Sequence, residues 1–511
     1  MSIYVSWRKR LVALGLALWL LVGLLGSAPW ASFGQGPPSP EVVGEAPRTP
    51  SPAPTTAGQV HARGYVPPPV DLSHLDGRWR VGPQLAQLPG SWDWRAEGKV
   101  TGVQDQGDCG SCYAFATLGS FESQLLITGE GSYDLSEMHA THCHYEALNP
   151  YVGYDSGCDG GNIWMVTNLY SAQGASLEAC DPYTVTESIT CTTTCPLTET
   201  VTDMWVLAGP SVPPTETLKS WLHNYGPLYV AMDSGGNDPL GWGSEFGAYK
   251  EGSDTLYEPM DEPNLDHAVL LVGWDDDLPH DGGSGGWIAK NSWGTGWGGT
   301  CGFGSEKGYF TIAYGSAGIG SSASLIKGWQ DYDPDGSLLY NDEAGMQGFL
   351  GYGTTTAWGL ARLTPGEDGC ATQVEIWTSD ATTVTVSIYD DFDGDAPSGP
   401  LWSSESNTFD HAGYHSIPIL RRLPLSAGDD VSVVVRVEND SSKFPLPVDS
   451  LGPVSADQSF ASGTGEQGPW LDLADRPRPL DIGIRLRVAP CPECKIYLPA
   501  VLKEWAPATP P

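Results

Sequence analysis

The sequence predicts two folded domains, a mixed α+β domain followed by an all-β sandwich. Its 511 residues exceed what one hydrophobic core usually holds. Apolar residues recur at nearly helical spacing in parts of the first half, whereas beyond about residue 328 they alternate with polar residues. With 64 glycines, 42 prolines and 20 tryptophans, the composition indicates many turns and β-rich surfaces rather than a helical bundle.

The charge of the chain bears on its partners. There are 25 lysines and arginines against 62 aspartates and glutamates, a formal net charge of −37. A nucleic-acid-binding protein presents a basic face to the phosphates. The scattered cations of this acidic chain therefore argue against nucleic acid as a partner.

The N-terminus is typical of a secretory signal over residues 1–31. Three basic residues, 8–10, precede an apolar run from Leu11 to about Leu25, and small residues follow up to Ala31. A run of about 15 residues is short for a bilayer, which needs about 20; an uncleaved membrane anchor is the alternative. We expect a secreted, extracellular or cell-surface protein with no membrane span after signal removal, in a compartment where cysteines form disulfides.

Residues 32–63 are predicted to be a disordered linker. Seven prolines lie between Pro37 and Pro54, and such a composition cannot bury a core. Order is expected to resume at Gly64, where apolar residues return.

The helical pattern that locates the first domain consists of Phe115, Leu118, Phe121 and Leu125. It predicts a helix with Ser111 as a candidate N-cap. In the second domain Val384, Val386 and Ile388 alternate with polar residues, and the same period returns in residues 431–437 and 482–488. Strands with one buried face predict a β-sandwich over residues 329–488, followed by a tail, residues 489–511.

The segment with the clearest chemistry ends at Cys112, immediately before the predicted helix. A cysteine in the first turn of a helix feels the positive end of the helix dipole, which favours the nucleophilic thiolate. Gln106 could add a side-chain N–H to the backbone N–H of Cys112 and so form an oxyanion hole. The alternative, a pair of disulfide cysteines, accounts for Cys109 but leaves Gln106 unexplained.

A base for this nucleophile is found at His267, which begins an apolar strand, and Asn291 follows in the segment 287–294. The motifs around Cys112, His267 and Asn291, in this order, resemble those of the papain-like cysteine peptidases, the family of papain and the cysteine cathepsins.

Three further landmarks of that family lie between residues 88 and 161. They are Leu88-Pro89 through Trp92-Asp93-Trp94-Arg95, Leu135-Ser136-Glu137, and Gly157-Cys158-Asp159-Gly160-Gly161. The resemblance covers roughly residues 88–320 and implies a catalytic domain, residues 88–328, with a helical lobe and a β-barrel-like lobe.

The resemblance also implies roles for individual residues. Cys112 would be the nucleophile, His267 the general base and acid, and Asn291 the residue that orients the imidazole. Gln106 would complete the oxyanion hole. The implied substrate-binding residues are Gly160, Gly161, Ile163, Asp266, Ala268 and Trp293.

These residues together predict a secreted cysteine endopeptidase that hydrolyses polypeptides by a thiolate mechanism and needs no cofactor. Endopeptidase is favoured over exopeptidase because no occluding loop or added minichain is evident. The alternative is a catalytically silent protein of the same fold that binds a surface or a carbohydrate through its β-domain. The joint presence of Gln106, Cys112, His267 and Asn291 favours the enzyme.

Residues 64–87 are expected to act as a short prosegment. Apolar residues such as Val66, Leu72 and Trp79 need a surface to pack on, yet the segment is too short and proline-rich to fold alone. We expect it to lie extended in the substrate groove until the chain is cut near Leu88. A permanent strap on the back of the domain is the alternative.

Setting Cys112 aside leaves ten of the 11 cysteines for disulfides. The resemblance implies Cys109–Cys158, and Cys143 paired with Cys191 or Cys195. Cys180 is expected to take the other of those two. The remaining pairs would be Cys491–Cys494 and Cys301–Cys370, although connectivity does not follow from sequence alone.

Weaker signals concern metals and sugars. The cluster His139, His142, Cys143 and His144 invites a zinc interpretation, against which surface histidines on a helix are favoured. The acidic turns at residues 331–336 and 391–395 are interpreted as solvated turns, with a structural calcium ion as the alternative.

The β-domain, with Trp358, Trp377 and Trp402, looks like the lectin-like modules of some secreted bacterial papain-like peptidases. This resemblance implies a carbohydrate or cell-surface ligand, and buried core tryptophans are the alternative.

Overall fold

The computed structural model describes residues 40–43, 62–80, 88–152, 157–186 and 188–491. The helices are α1 (Cys112–Thr128), α2 (Glu137–Val152), α3 (Ile163–Ala172), α4 (Thr215–Tyr225) and α5 (Trp242–Gly247). The strands of the first half are β1 (Glu41–Val43), β2 (Ser91–Asp93), β3 (Glu199–Val206), β4 (Leu228–Met232), β5 (His267–His280), β6 (Gly283–Lys290), β7 (Tyr309–Ala313) and β8 (Ser321–Asp331).

The strands of the second half are β9 (Ser337–Leu339), β10 (Gly348–Gly351), β11 (Thr356–Leu363), β12 (Gly369–Thr378), β13 (Thr382–Phe392), β14 (Pro397–Ser403), β15 (Asn407–Phe409), β16 (Ala412–Leu425), β17 (Val431–Asn439), β18 (Leu446–Asp449), β19 (Ser459–Ser462), β20 (Leu471–Asp472), β21 (Asp481–Ile482) and β22 (Ile484–Ala489).

Helix α1 forms the centre of the helical lobe. Its residues from Cys112 to Leu125 are all buried, including the four whose spacing predicts the helix. The helix ends at Gly129, whose φ of 89° lies in the left-handed region that glycine adopts without strain. Ser111 is the residue before the helix, as expected, but its side chain does not cap it.

The second lobe is built on an open sheet that continues into the β-domain. The strand order is β7-β6-β5-β4-β8-β3-β16-β12-β22-β9, with β2 added beside β5. Strand β3 pairs with β16 at Val206↔Ala412 and Met204↔Tyr414. The expected α+β domain and all-β domain are both confirmed, but the β lobe is not a closed barrel, because its edge strand pairs across the domain boundary.

The β-domain is a sandwich whose core follows the predicted alternation. Val384, Val386 and Ile388 are buried, and so are the alternating apolar residues of β17 and β22. The other face of β22 is also buried, which the alternation does not predict. Arg485 on that face lies 2.7 Å from Asp342 and 2.5 Å from Asn168 of α3, so the helical lobe covers it.

Part of the predicted linker is ordered. Glu41–Val43 forms strand β1, which pairs with β10 in a sheet of order β1-β10-β18-β21. The predicted signal, residues 1–31, the rest of the linker up to residue 61, and residues 492–511 of the tail lie outside the described residues. Within the described part, the structure contains no helix long and apolar enough to span a membrane.

The structure forms the bridges Cys109–Cys158, Cys143–Cys191 and Cys180–Cys195, which agree with the expected pattern. The fourth bridge, Cys370–Cys491, replaces the expected pairs Cys301–Cys370 and Cys491–Cys494. Cys370 of β12 lies opposite Ala489 of β22, so the end of β22 brings Cys491 to it. Cys301 is a free thiol, and Cys494 lies outside the described residues.

Peptide mapping of the unreduced protein should therefore recover a peptide pair joined by Cys370 and Cys491. Thiol labelling after unfolding should modify Cys112 and Cys301, because neither is in a bridge. A recovered Cys301–Cys370 peptide would contradict the pairing.

Candidate active site

Cys112 is the first residue of α1 and is fully buried with a free thiol. The backbone N–H of Ala268, on β5, donates to Cys112 Sγ at 3.4 Å. This contact places the start of β5, and therefore His267, beside the helix N-terminus.

His267 and Asn291 form a buried hydrogen-bonded pair. His267 Nε2 lies 2.8 Å from Asn291 Oδ1, and because the amide oxygen can only accept, Nε2 is the donor. The same oxygen accepts from the backbone N–H of Ser292 at 2.8 Å, which fixes the amide. The ring of Trp293 covers the imidazole with centroids 5.1 Å apart, and Phe246 lies behind it at 6.3 Å.

Gln106 is fully buried and held from several sides. Its Oε1 accepts from Ser292 Oγ at 2.5 Å, and its backbone N–H donates to the Ser292 carbonyl at 2.8 Å. Its Nε2 donates to the carbonyl of Cys109 at 2.7 Å and to that of Ala62 at 2.9 Å. The four residues expected to carry the chemistry therefore lie in one buried site.

The carbonyl of Ala62 belongs to a segment, residues 62–80, that we call the strap. Residues 64–66 of the strap form backbone hydrogen bonds with residues that are expected to bind substrate. Tyr65 N–H donates to the Asp266 carbonyl at 3.1 Å, Val66 N–H to Gly161 at 2.9 Å, and Gly161 N–H to Gly64 at 2.8 Å. The strap runs parallel to the chain at Gly161.

Glycine is required where the strap approaches most closely. A Cβ at Gly64 would lie 1.9 Å from the Gly110 carbonyl oxygen, and one at Gly160 would lie 2.9 Å from the Gly64 oxygen. Gly160 also has a φ of +88°, a region that other residues rarely adopt. The fit between strap and site therefore depends on backbone alone at these positions.

The other expected substrate-binding residues line the same region. Ile163 is the buried first residue of α3, and Asn162 before it caps the helix and donates to the Val66 carbonyl at 3.0 Å. Asp266 accepts from the Ser234 and Gly236 N–H groups and lies 3.3 Å from Arg63 Nε of the strap. Sequence reasoning missed Arg63 and Ser234, because neither belongs to a motif.

The strap changes the chemistry expected of Cys112. Burial raises the pKa of the thiol to about 12, and the N–H groups of Ala268 and Gly64, which lower it, do not offset the burial. Gly64 belongs to the strap, so the strap contributes to this burial. The helix position favours a thiolate, whereas burial beneath the strap favours the neutral thiol.

A charged cluster that sequence reasoning missed lies behind Asn291. Glu122 of α1 accepts from the Leu135 N–H at 2.8 Å and from the Thr101 hydroxyl at 2.5 Å, and Lys290 Nζ lies 3.3 Å from the same hydroxyl. Burial raises the pKa of Glu122 to about 7, although Lys290 lowers it, and burial also raises that of Glu137. The signal available in the sequence was the position of Lys290 next to Asn291.

Glu122→Gln should flatten the dependence of stability on pH. The pKa of Glu122 in the folded protein, about 7, lies above its ordinary 4.5, so the folded state binds the proton more tightly than the unfolded state. Stability is therefore lost as the pH rises from about 4.5 to about 7, and the amide removes this loss. The free energy of unfolding, measured with denaturant at about pH 4.5 and about pH 7 in both proteins, checks this prediction.

Glu130→Gln, at an exposed position just after α1, is the matched control and should keep the wild-type profile. An unchanged profile in Glu122→Gln would contradict the assignment.

The histidine cluster of α2 and the acidic turn at residues 391–395 lie in different environments. His139, His142 and His144 are buried, so the expected surface histidines are wrong: the α2 face that carries them packs inward. Cys143, between them, is in a disulfide. The acidic residues of the turn at 391–395 are exposed, although Phe392 between them is buried. Backbone N–H groups that donate to Asp393 close the turn, and a structural calcium ion stays an untested alternative.

Two family models match the chain. Residues 88–326 match the papain family cysteine protease, and residues 338–485 match the lectin like domain. The chain thus carries a papain family cysteine protease domain followed by a lectin-like domain, which confirms the resemblances found in the sequence.

Curated relatives match the first of these domains. Cathepsin L of Sarcophaga peregrina is 32% identical over 246 residues, which are 47% of this chain and 63% of that protein. Cysteine proteinase B of Leishmania mexicana is 31% identical over 243 residues, 45% of this chain and 46% of that protein. The matched region therefore spans less than two thirds of either relative.

A solved structure has both domains in the same order. It comprises the cysteine protease and lectin-like domains of Cwp84, a surface layer associated protein of Clostridium difficile. The TM-score is 0.63 with 19% sequence identity, covering 84% of this chain and 94% of that chain. This similarity is one of fold.

Proposed function

We propose that this protein is an exported cysteine endopeptidase, held latent by its own strap, that hydrolyses polypeptides. The observation that carries the proposal is one buried site that combines a helix-start cysteine, Cys112, the His267–Asn291 pair and the Gln106 amide. A protein that only binds has no need of this combination.

The geometry supports a thiolate mechanism once the strap has left. His267 takes the proton of the Cys112 thiol, and Sγ attacks the carbonyl carbon of the scissile bond. The oxyanion accepts hydrogen bonds from Gln106 Nε2 and from the backbone N–H of Cys112. His267 returns its proton to the leaving amine, then takes a proton from the water that hydrolyses the thioester. Because Nε2 of His267 is hydrogen-bonded to Asn291, Nδ1 is the nitrogen that exchanges these protons.

The strap supports latency, because its groups occupy positions that a substrate needs. The Ala62 carbonyl accepts from Gln106 Nε2, where it stands in for the carbonyl oxygen of a substrate. At Cys112 Sγ, however, the strap presents the Gly64 N–H rather than a carbonyl carbon. The strap therefore covers Cys112 Sγ without placing a peptide carbonyl carbon where the sulfur could attack it. A structure of Cwp84 is described as the form after propeptide cleavage, which is compatible with a similar arrangement here.

We place the protein outside the cell, in agreement with its N-terminal sequence and with the surface layer association of Cwp84. The β-domain would then bind a carbohydrate or cell-surface ligand. Trp377 is not available for this role, because it is buried and stacks on Trp164 with centroids 5.2 Å apart. Trp358 and Trp402 are only half-buried and are the better candidates.

Cys112→Ala should reduce peptide hydrolysis by the activated protein to below about a hundredth of wild type, because no other group supplies the nucleophile. Cys301→Ala is the matched control: Cys301 is the other free thiol of the described residues, and its loss should leave the rate unchanged. Steady-state hydrolysis of a fluorogenic peptide measures both, and circular dichroism checks the fold. Residual activity in Cys112→Ala above that level would refute the assignment.

A chain that begins at Leu88 should be more active than the exported chain and should react faster with an epoxide thiol reagent. Removal of the strap uncovers Cys112 and relieves the burial that raises its pKa. A synthetic peptide of residues 62–87, which includes Ala62 and Arg63 of the strap, should inhibit it. Equal activity of the two chains, without inhibition by the peptide, would favour a permanent structural strap.

A further inference from the structure

The second half of the strap leaves the cleft and reaches the β-domain. Val70 and Leu72 are buried on the way, and Ser73–Leu75 forms a 3-10 turn. His74 Nε2 then donates to the carbonyl of Ser379, the residue after β12, at 2.7 Å. The strap therefore contacts both domains and not the catalytic domain alone.

Arg80 makes two ion pairs with the β-domain. Its guanidinium lies 3.0 Å from Asp410 and is also paired with Asp440. Both aspartates belong to the β-domain, one just before β16 and the other just after β17. The Arg80 carbonyl accepts from Trp221 Nε1 of α4 at 2.7 Å, so Arg80 bridges the two domains.

Charge rather than close packing holds the strap at this point. A cavity of about 170 Å³ separates it from the β-domain. Its lining includes Arg78 and Arg80 from the strap and Asp380, Asp410 and Asp440 from the β-domain. The Arg80 side chain is 41% exposed. The contact of Arg80 with Asp410 and Asp440 therefore consists of two exposed ion pairs, which salt screens.

We propose that the β-domain is a second receptor for the strap, and that Asp410 and Asp440 retain the strap through Arg80 after the chain has been cut before Leu88. This inference rests on the proposed latency. A cut strap leaves only when its contacts with both domains break. While one end stays bound, the other remains at high effective concentration near its own site and rebinds. The lectin-like domain would thus set how fast the cleft opens.

The test uses the full chain with a serine-protease recognition sequence placed between Arg80 and Leu88, so that the strap can be cut without the protein's own activity. After cutting, the rate at which an epoxide thiol reagent labels Cys112 reports strap release. Two exposed ion pairs predict that Arg80→Ala is labelled about 2- to 30-fold faster than wild type. Asp410→Asn combined with Asp440→Asn should give the same acceleration, and adding Arg80→Ala to it should give no more.

Arg78→Ala is the matched control. It removes the same charge two residues away, and Arg78 has no ion pair within the described residues. It should be labelled within about twofold of wild type. In 1 M salt, where the Debye length is about 3 Å, wild type should approach the rate of Arg80→Ala.

Two results would overturn the inference. If Arg80→Ala and Arg78→Ala are labelled equally fast, the ion pairs of Arg80 with Asp410 and Asp440 do not retain the strap, and the proposed latency stands. If uncut wild type is already labelled as fast as the strap-free chain beginning at Leu88, the strap does not close the cleft, and latency and retention both fail. Failure to label Cys112 in any form would instead refute the active-site assignment together with the inference.

Discussion

The pairing of β3 with β16 is the constraint on which the arrangement of this protein depends. An edge strand leaves a row of backbone groups unpaired, and here β16 of the second domain satisfies them. The shared sheet fixes the β-domain against the helical lobe, so that Arg485 and Arg487 are buried between them. Arg485 donates to Asn168 at 2.5 Å and Arg487 donates to the Ser171 carbonyl at 2.7 Å, so these two arginines link the β-domain to helix α3 of the helical lobe.

The same junction explains why one strap can contact both domains. The cleft lies at the N-terminus of α1, and the acidic residues of the β-domain lie beside the start of β16, next to the joint with β3. A segment of 19 residues, 62–80, passes from one to the other. The strap fits the cleft because residues 64 and 160 are glycines, since a side chain at either position would collide with the opposite backbone.

Much of the fold and the site could be predicted because their signals are local. Gln106 and Cys112 lie in one short segment, His267 begins an apolar strand, and Asn291 directly follows another. The alternation of apolar and polar residues in β13, β17 and β22 correctly predicted which face of each strand packs into the core of the sandwich. The thiolate expected at Cys112 did not follow from such a signal, because a helix dipole is a local property whereas burial by a distant segment is not.

The sequence by itself determined which residues meet in the candidate site, Gln106, Cys112, His267 and Asn291, and the order of the two domains, since helix starts and strand periods are set by neighbouring residues. Only the tertiary structure decided what covers each surface. It buried the second face of β22, joined Cys370 to Cys491, and set Arg63 against Asp266 and Arg80 against Asp410. These groups lie tens to hundreds of residues apart, and a pattern along one segment does not reveal what packs on it from elsewhere.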